Sequence, residues 1–474
     1  MARGFGGIAL VCSFPADKRS RPTARTSAGA RAKASAPFDP FQAELTTMPV
    51  AQPVKATKTL EQYQITMRPG TADILAGQPT PILGYDGRFP GPTIHATRGR
   101  EVQVTQSNQA GRNLVVHLHG GVTEHASDGH PMDIVGAGTQ RVYRYANVQR
   151  GATLWYHDHS HGEVAQTLYA GLAGFYIVND PYEDALELPR GEYDVPLMIQ
   201  DRSFNADGSF RYQLDLDMGF HGDTILVNGA IAPRMKVERR LYRLRLLNAS
   251  NARVYGLVLG DRRETLQIAA DGGLLPRPVK RTLIPLNPAE RIDVVVDFRQ
   301  FGAGTEVILH NPSGEATTQA VMRFDVVKGG AEEAQVPKLL SELETLPPVN
   351  AARKFVLSFQ SAGTAMWQIN GQGYDMNRID CRPRLGTTEL WTFVNNSPHP
   401  HPMHLHLAHF LIRSVDGRPP GPADASWKDV VAVQPGSTVV VRPYFDYYTG
   451  VFPFHCHTAE HGDNNMMGQM EVEE

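Results

Sequence analysis

Near its C-terminus the chain reads His455-Cys456-His457-Thr458-Ala459-Glu460-His461-Gly462-Asp463-Asn464-Asn465-Met466. This stretch combines one cysteine, three histidines and a methionine within twelve residues. Two imidazoles and a thiolate, with a weak thioether on the axis, are the ligands of a blue-copper electron-transfer site. The spacing therefore predicts that Cys456 and His461 bind one copper ion and that Met466 is its axial ligand.

Two histidines of this stretch, His455 and His457, have no role in that first site. In an extended segment successive side chains point to opposite faces, so both rings point away from Cys456. Their positions predict a second metal site on the other side of the same strand, connected to the first through the backbone of Cys456. The remaining ligands of both sites must come from elsewhere in the chain.

Length and composition restrict the class of protein. A chain of 474 residues is long enough for about three domains of ~150 residues each. A hydrophobic content of 41% is enough for an ordinary core in each domain. The net charge of −3, without basic blocks in the body of the chain, argues against nucleic acid as a partner. No run of 18 apolar residues occurs, so no membrane span is expected.

Turn residues and short apolar alternations predict an all-β protein. The 44 glycines and 34 prolines are spread along the chain between these alternations, as in proteins with many turns. The segments that read as strands are 102–106, 114–120, 153–159, 172–178, 195–199, 241–246, 292–298, 390–394 and 439–444. The middle region, 183–345, has strand patterns but no cluster of metal ligands, and we expect it to act as a spacer.

Ten of the 18 histidines fall in four clusters. Besides the C-terminal stretch, the clusters are His117-x-His119, His157-x-His159 and His401-x-x-His404-x-His406. A His-x-His pair on a strand presents both imidazoles on one face, where they can serve adjacent metal ions. Neutral imidazole is the commonest metal ligand in proteins. One such pair is weak support for a site, but four clusters in one chain indicate a multinuclear metal centre.

These motifs resemble those of the multicopper oxidases, the laccase family. The resemblance runs from about residue 55 to the end and is strongest to the branch of bacterial spore-coat laccases and bilirubin oxidases. Further matching segments are 127–131 (SDGHP), 155–159 (WYHDH), 222–229 (GDTILVNG) and 246–250 (LLNAS). The resemblance implies three consecutive cupredoxin-like Greek-key β-barrel domains. Their expected bounds are 51–182, 183–350 and 351–474, after a leader of residues 1–50.

The same resemblance implies four copper ions with a defined set of ligands. A type 1 copper in the last domain would be bound by His401, Cys456 and His461, with Met466 on its axis. A type 2 copper would be bound by His117 and His404. The type 3 pair would take His119, His157 and His457 on one ion and His159, His406 and His455 on the other. Ten histidines, one cysteine and one methionine then complete the set without a missing ligand.

The resemblance also implies the reaction. A small phenolic, aminophenolic or related aromatic reductant would give electrons singly to the type 1 copper, and O₂ would be reduced to water at the other three ions. His455 and His457 would carry the electrons onward from Cys456. The alternatives are a cuprous-ion oxidase for copper tolerance and a copper-binding cupredoxin protein without activity. Segment 354–378 holds only Met366 and Met376, which disfavours the first, and the complete ligand set disfavours the second.

Proton delivery to O₂ requires an acid near the cluster. Asp128 matches the acidic residue that the bacterial relatives carry after the first histidine pair. Those relatives usually carry a glutamate directly after the last type 1 histidine, where this chain has Gly462. Asp463 and Glu460 are the nearby acids that could substitute, but we expect both to be solvated surface carboxylates.

The N-terminal segment differs from the rest of the chain. Up to Lys33 it holds seven Lys or Arg residues and one acid, so residues 1–50 are predicted to be a disordered leader or a targeting segment. Three cysteines, of which Cys456 is assigned to metal, do not predict a disulfide framework. The location is left open between the cytoplasm and a secreted or periplasmic protein, and we expect a monomer.

Overall fold

The computed structural model describes residues 38–331, 333–360 and 366–474. Thirty β-strands make up most of its regular structure, and the longest of its four α-helices has seven residues. In several strands half-buried and fully buried residues alternate with a period of two, as in Glu101–Asn108 and Thr438–Phe445. The all-β prediction is confirmed. Most of the segments read as strands from the sequence lie within longer strands of the structure.

The first barrel consists of two facing sheets. Its strands are β1 (Lys55–Ala56), β2 (Leu60–Leu75), β3 (Gln78–Tyr85), β4 (Ile94–Thr97), β5 (Glu101–Asn108), β6 (Val116–His119), β7 (Gln140–Tyr145), β8 (Ala152–Asp158) and β9 (Ala173–Asn179). One sheet has the order β1-β2-β5-β7, with β3 paired to β2, and the other has the order β4-β9-β8-β6. Aliphatic and tyrosine side chains from both sheets form the core between them.

The middle barrel has the largest sheet. Its strands are β10 (Asp194–Arg202), β11 (Thr224–Val227), β12 (Ala230–Ile231), β13 (Arg234–Glu238), β14 (Leu241–Asn248), β15 (Tyr255–Leu259), β16 (Thr265–Ala270), β17 (Gly273–Arg281), β18 (Ile284–Leu286), β19 (Arg291–Asp297), β20 (Glu306–His310) and β21 (Ala320–Val327). The orders are β12-β11-β10-β14-β19-β16-β17 and β13-β21-β20-β15-β18.

The last barrel repeats the arrangement of the first. Its strands are β22 (Val349–Phe359), β23 (Trp367–Ile369), β24 (Thr387–Asn395), β25 (His401–Leu405), β26 (Phe410–Val415), β27 (Val430–Val433), β28 (Thr438–Phe445), β29 (Gly450–Cys456) and β30 (Met467–Val472). The orders are β23-β22-β24-β28-β26 and β27-β25-β29-β30. Three successive sheet pairs agree with the expected organisation, while the boundaries 51–182, 183–350 and 351–474 stay predictions.

The helices are short and lie in connections. They are α1 (His125–Asp128), α2 (Val164–Ala170), α3 (Pro181–Asp184) and α4 (Ala459–Asp463), with 3₁₀ turns at Gly191–Tyr193, Phe298–Gln300, Ala316–Thr318 and Pro422–Asp424. No helix among the described residues is long and apolar enough to cross a membrane. One apolar cluster contains residues of all three barrels, including Trp155, Leu247 and Val430, so the barrels share a common packed junction.

The predicted leader is too long. Residues 1–37 lie outside the described residues, but residues 38–50 pack on the body of the protein. Phe38 lies edge-on to Phe204 at 5.5 Å between ring centroids, and Leu45 donates its amide hydrogen to the Arg234 carbonyl at 2.7 Å. Met48 is 5% exposed. The prediction of a leader is therefore wrong for residues 38–50.

Candidate metal centre

Four strands bring the histidine clusters together. In the first barrel β6 pairs antiparallel with β8, and in this register His117 lies opposite His157. In the last barrel β25 pairs antiparallel with β29, and His404 lies opposite His455. Each cluster was predicted from the spacing of its own histidines. The two ladders place the 117–119 cluster beside the 157–159 cluster, and the 401–406 cluster beside the C-terminal cluster.

The candidate ligands are all removed from water. The ten clustered histidines, Cys456 and Met466 are each at most 5% exposed. Burial is the main cause that lowers the pKa of every one of the ten imidazoles, to about 3 for His157 and about 4 for His455 and His461. The rings are therefore neutral at neutral pH, which is the form that binds metal ions.

One group contains the cysteine. His401 Nδ1 lies 3.4 Å and His461 Nδ1 lies 3.7 Å from Cys456 Sγ, and the two nitrogens are 3.3 Å apart. Metal–nitrogen bonds of about 2.0–2.1 Å and metal–sulfur bonds of about 2.3 Å put ligands of one ion about 3–4 Å apart. The three atoms therefore fit a single ion.

The far nitrogens of this group have fixed partners. His401 Nε2 is 2.7 Å from Ser397 Oγ, and His461 Nε2 donates to the Asp217 carbonyl at 2.9 Å. A carbonyl oxygen only accepts, so Nε2 of His461 carries the hydrogen and Nδ1 is left for a metal. Met466 is fully buried in the same apolar cluster as Cys456, and its carbonyl accepts the Cys456 amide hydrogen at 3.0 Å.

Burial also raises the pKa of the Cys456 thiol to about 12. Without a metal ion the group is a neutral thiol, which suits the apolar surroundings. Metal ions bind the thiolate, so loading of this site must release the thiol proton.

A second group joins the first and last barrels. His117 Nε2 and His404 Nε2 are 3.4 Å apart. Their Nδ1 atoms donate to the carbonyls of Asp128 at 2.6 Å and Asp429 at 2.9 Å. Both rings therefore turn a bare Nε2 toward the same point.

A third group is built in the same way. Nε2 of His455 lies 3.0 Å from Nε2 of His159 and 3.2 Å from Nε2 of His406. The Nδ1 of His455 donates to the carbonyl of Cys456 at 3.0 Å, and the Nδ1 of His406 faces Asp128 Oδ2 at 2.8 Å.

The fourth group is formed by the remaining rings, those of His119, His157 and His457, and it overlaps the second, because ligand atoms of His117, His119 and His157 lie within 4.8 Å of one another. The rings of His119 and His157 are 4.9 Å and 5.3 Å from the ring of His457 between centroids. Nδ1 of His119, Nε2 of His157 and both ring nitrogens of His457 are buried without a hydrogen-bond partner among the described residues. Each unsatisfied buried polar group costs about 1–3 kcal/mol. A bound cation would satisfy one nitrogen of each of these rings, so the donor set fits a metal cluster.

The acids near these groups differ in part from the sequence-based expectation. Asp128 lies beside His406 and His117; burial raises its pKa well above the ordinary value, and its Oδ1, 3.8 Å from His117 Nδ1, has no hydrogen-bond partner among the described residues. Glu460 and Asp463, in contrast, are not solvated. Burial raises the pKa of Glu460 to about 7 and that of Asp463 to about 8. The expectation of surface carboxylates is wrong for both.

The reason is that α4 packs against α2. Asp463 accepts the amide hydrogens of Val164 at 3.1 Å and Ala165 at 2.8 Å, at the start of α2. Glu460 accepts from Asn251 at 2.9 Å and from the Tyr212 hydroxyl at 3.1 Å. Asp463 also lines a small cavity with His159, His455 and His457, among others.

The remaining histidines near the clusters have other partners. His399 faces the Asp217 carboxylate at 3.0 Å, and His130 faces Gln469 Oε1 at 2.7 Å. His409 Nε2 donates to the Gly120 carbonyl at 2.9 Å. His161 is exposed, with its ring 5.0 Å from that of Tyr374.

Sequence reasoning missed contributions from the middle barrel. The loop of residues 212–219 covers His461 through the Asp217 carbonyl, and Trp367 donates to the Leu216 carbonyl of the same loop at 2.6 Å. The buried Arg291 also contacts Asp429, which holds His119. The middle barrel is therefore more than a spacer. No local pattern marks these residues, because each acts through a contact with a distant part of the chain.

Comparisons with known proteins agree with this geometry. Two multicopper oxidase family models match residues 66–183 and 347–474. The chain is 36% identical to a laccase of Bacillus subtilis over 89% of this chain and 96% of that one. It is 34% identical to a bilirubin oxidase of Albifimbria verrucaria, over 92% and 82% of the two chains.

Solved structures give the same result. A laccase from Pediococcus acidilactici superposes with a TM-score of 0.85 at 31% identity, over 93% of this chain and 97% of that one. The McoA multicopper oxidase of Aquifex aeolicus superposes with a TM-score of 0.83 at 32% identity, over 92% and 100%. These neighbours confirm the three-domain cupredoxin fold. The chain belongs to the multicopper oxidase family and is a copper-dependent oxidoreductase that uses O₂ as its electron acceptor.

Proposed function

We propose that the protein is a laccase-like oxidase of phenolic, aminophenolic or related aromatic reductants and that it reduces O₂ to water with four copper ions. The main support is the His455-Cys456-His457 unit. Cys456 lies in the group with His401 and His461, and its two neighbours lie in two separate groups of buried imidazoles. One backbone segment thus joins the cysteine-containing group to two groups of buried imidazoles.

The proposed ligands follow the four groups. His401, Cys456 and His461 would hold the type 1 ion, with Met466 axial, and His117 and His404 would hold the type 2 ion. The type 3 ions would take His119, His157 and His457, and His159, His406 and His455. When bound, copper supplies one-electron acceptance from the reductant and the four-electron reduction of O₂.

The chain contributes ligand orientation and the exclusion of water. Four imidazoles are each fixed by a backbone carbonyl that accepts the Nδ1 hydrogen. These carbonyls belong to Asp128, Asp158, Cys456 and Asp429. These contacts determine which nitrogen of each ring carries the hydrogen in the metal-free protein. Groups that accept hydrogen bonds from ligand histidines tune the affinity for the metal in this way. The burial of all the rings keeps bulk water from the reacting centre.

Asp128 is the proposed proton relay. Its Oδ2 is held by His406, and its Oδ1, which has no hydrogen-bond partner among the described residues, can carry a proton, because burial raises the pKa of this carboxyl. Asp463 is the proposed substitute for the acid absent at Gly462. It lines the cavity next to His455, and a Cβ atom at residue 462 would lie 4.0 Å from His455 Nδ1.

The reductant would meet the loop of residues 212–219 first. His461 is only 2% exposed, because Asp217 of this loop accepts its Nε2 hydrogen. The loop presents Leu214 and Met218 to solvent with exposures of 56% and 51%. Exposed apolar side chains next to an electron-entry site favour contact with an aromatic ring.

A cuprous-ion oxidase is the second candidate. It is favoured by Asp217, His399 and the exposed Met218 around the same loop, because imidazole and thioether are ligands that suit Cu(I). Oxygen uptake with Cu(I) and with a panel of phenols separates the two candidates. In the Asp217→Asn variant, Cu(I) oxidation should fall selectively if Cu(I) is the substrate, and phenol oxidation should be nearly unchanged.

The experiment that tests the proposed function is copper loading of the full chain, followed by absorption spectroscopy and oxygen-uptake measurements. We expect four copper ions per chain, a blue absorption band and oxygen uptake with a phenol. A copper-loaded protein with no blue band, or with no oxygen uptake on any phenol or on Cu(I), would contradict the proposal.

A further inference from the structure

Arg291 is a fully buried arginine at the start of β19. This strand belongs to the middle barrel, and none of the proposed ligands comes from that barrel. All five of its N–H groups have acceptors. Nε donates to the Thr153 carbonyl at 2.9 Å, and Nη1 donates to the Ala289 carbonyl at 3.0 Å and to Asp429 Oδ1 at 2.7 Å. Nη2 donates to the Asp271 carbonyl at 3.2 Å and to the other oxygen of Asp429. A single side chain thus links all three barrels.

Two of these links, those to Thr153 and Asp429, lead to the proposed metal cluster. Thr153 belongs to β8, the strand that carries His157. Asp429 Oδ1, which Arg291 holds, lies 3.1 Å from His119 Nε2. The carbonyl of the same Asp429 accepts from His404 Nδ1 at 2.9 Å. Arg291 is therefore one contact away from two ligands, one in the first barrel and one in the last.

The contact with Asp429 determines which nitrogen of His119 is available. A carboxylate held by a guanidinium accepts the Nε2 hydrogen, so Nδ1 is left bare. This Nδ1 is one of the buried nitrogens without a partner among the described residues. A carboxylate that orients a metal-binding histidine in this way also raises its basicity as a ligand.

Gly120, directly after His119, gives independent support. Its φ of +80° lies in the left-handed region, and a Cβ atom there would lie 2.6 Å from both Arg291 Nη2 and Asp429 Oδ2. The ion pair therefore packs directly on the backbone next to His119. A side chain at residue 120 would displace the pair, so the local sequence is adapted to its presence.

We infer that Arg291 and Asp429 are a positioning pair through which the middle barrel sets the orientation of His119 and His404 in the oxygen-reducing cluster. The inference rests on the proposed function, because it assigns these histidines to copper. The bidentate fork is essential to this role. A lysine ammonium is a point charge that cannot bind both carboxylate oxygens in one plane while keeping three carbonyl partners.

The test compares Arg291→Lys and Asp429→Asn with the wild type and with Arg253→Lys. Arg253 is a matched control, since it is also a buried arginine of the middle barrel, paired with Asp201 at 2.8 Å. Its side-chain partners among the described residues, Asp201, Gly222 and Glu315, are not proposed ligands. The readouts are copper per chain, the type 1 blue band and the type 2 signal in electron paramagnetic resonance, all from one sample.

For Arg291→Lys and Asp429→Asn we expect copper affinity of the three-ion cluster to fall about 10- to 100-fold. The type 2 signal should change its splitting or disappear, while the blue band per chain stays at the wild-type level. Arg253→Lys should leave both signals unchanged. Wild-type copper content and spectra in both Arg291→Lys and Asp429→Asn would overturn the inference.

A proportional loss of both signals in both Arg291→Lys and Asp429→Asn would also overturn it, because that result shows a general effect on folding. If Arg291→Lys does not fold, the nearly isosteric Asp429→Asn decides by the same criteria. A wild-type protein without copper would instead contradict the proposed function, so the two failures are distinguishable.

Discussion

His401 and Cys456 are 55 residues apart in the chain, yet His401 Nδ1 lies 3.4 Å from Cys456 Sγ. The β25–β29 ladder produces this proximity, because it sets Met403 opposite Cys456 two residues from His401. The pair combines an imidazole on one strand with a thiol on the next, and His461 completes the group from α4.

Replacement of the Cys456 thiol should abolish the type 1 copper site and leave the three-ion cluster in place. We expect Cys456→Ser to lose the blue band and the oxidation of phenols while it retains the three cluster ions, whose histidines are unchanged. Absorption spectroscopy and copper analysis measure both. Cys381→Ser is a matched control, since Cys381 is also a buried thiol of the last barrel whose pKa burial raises to about 12. A blue band in Cys456→Ser would refute the type 1 assignment.

The buried imidazoles should make the copper-free protein less stable in mild acid. The pKa values of His157, His455 and His461 are lowered from 6.5 to about 3–4. In the unfolded chain these rings bind protons below about pH 6.5, whereas in the folded chain they stay neutral to about pH 4. The unfolded form thus binds more protons in this window, and stability falls as the pH drops through it.

Urea unfolding of copper-free protein at about pH 7 and about pH 5 checks this prediction. We expect a lower midpoint at the lower pH, where carboxyl groups with ordinary pKa values are still mostly ionised. The buried acids Asp128, Glu460 and Asp463 act in the opposite direction, because their raised pKa values let the folded chain bind protons, but the ten imidazoles outnumber them. A midpoint that does not fall at the lower pH would contradict the prediction.

Asp128→Asn should slow electron transfer from the copper cluster to O₂ without affecting electron transfer from the reductant to the type 1 copper. The amide keeps an oxygen for His406 but cannot release a proton from residue 128. We expect reoxidation by O₂ to slow by about 100-fold or more, while anaerobic bleaching of the blue band by a phenol keeps its rate. Stopped-flow absorption measures each half-reaction.

Asp73→Asn is the control for this variant, because Asp73 is an exposed aspartate on β2 of the same barrel. It should behave like the wild type. A reoxidation rate in Asp128→Asn equal to that of the wild type would exclude Asp128 as the relay.

Asp463 should take the place of the acid that is absent at Gly462. We expect Asp463→Asn to slow reoxidation by about tenfold or more and to lower thermal stability modestly, because the amide oxygen can accept from only one of the two N–H groups at the start of α2. Gly462→Glu in the Asp463→Asn background should restore part of the rate. A Cβ there would be 3.2 Å from the Cys456 carbonyl, so a small shift of the backbone must accompany it. An Asp463→Asn variant with the wild-type rate would rule Asp463 out.

The proposed ligands were accessible from the sequence because their spacing is local. A His-x-His pair on a strand has one possible relation of its two rings. The strand β6 carries its pair as expected, whereas β8 ends at Asp158, one residue before His159. The strands themselves follow from alternation, as in β28. The resemblance of the motifs to a family supplied the pairing of the clusters, which spacing alone does not determine.

The residues that hold the ligand histidines in place could not be predicted, because their contacts join distant parts of the chain. Arg291 and Asp429 are 138 residues apart, and Asp217 and His461 are 244 apart. Nothing in their neighbourhoods marks them, since aspartates and arginines are common on surfaces. Glu460 and Asp463 were misassigned because the burial of α4 depends on its packing against α2, a contact between barrels that no periodicity reveals.

The stoichiometry of the overall reaction tests the central claim most directly. An oxygen electrode and a peroxide assay, with a known amount of a one-electron phenolic reductant and copper-loaded wild-type protein, measure how many electrons each O₂ receives. If the buried histidine groups act as one cluster supplied through Cys456, four equivalents of reductant are consumed per O₂ and no hydrogen peroxide accumulates. A ratio of two equivalents per O₂, with hydrogen peroxide as the product, would contradict this account.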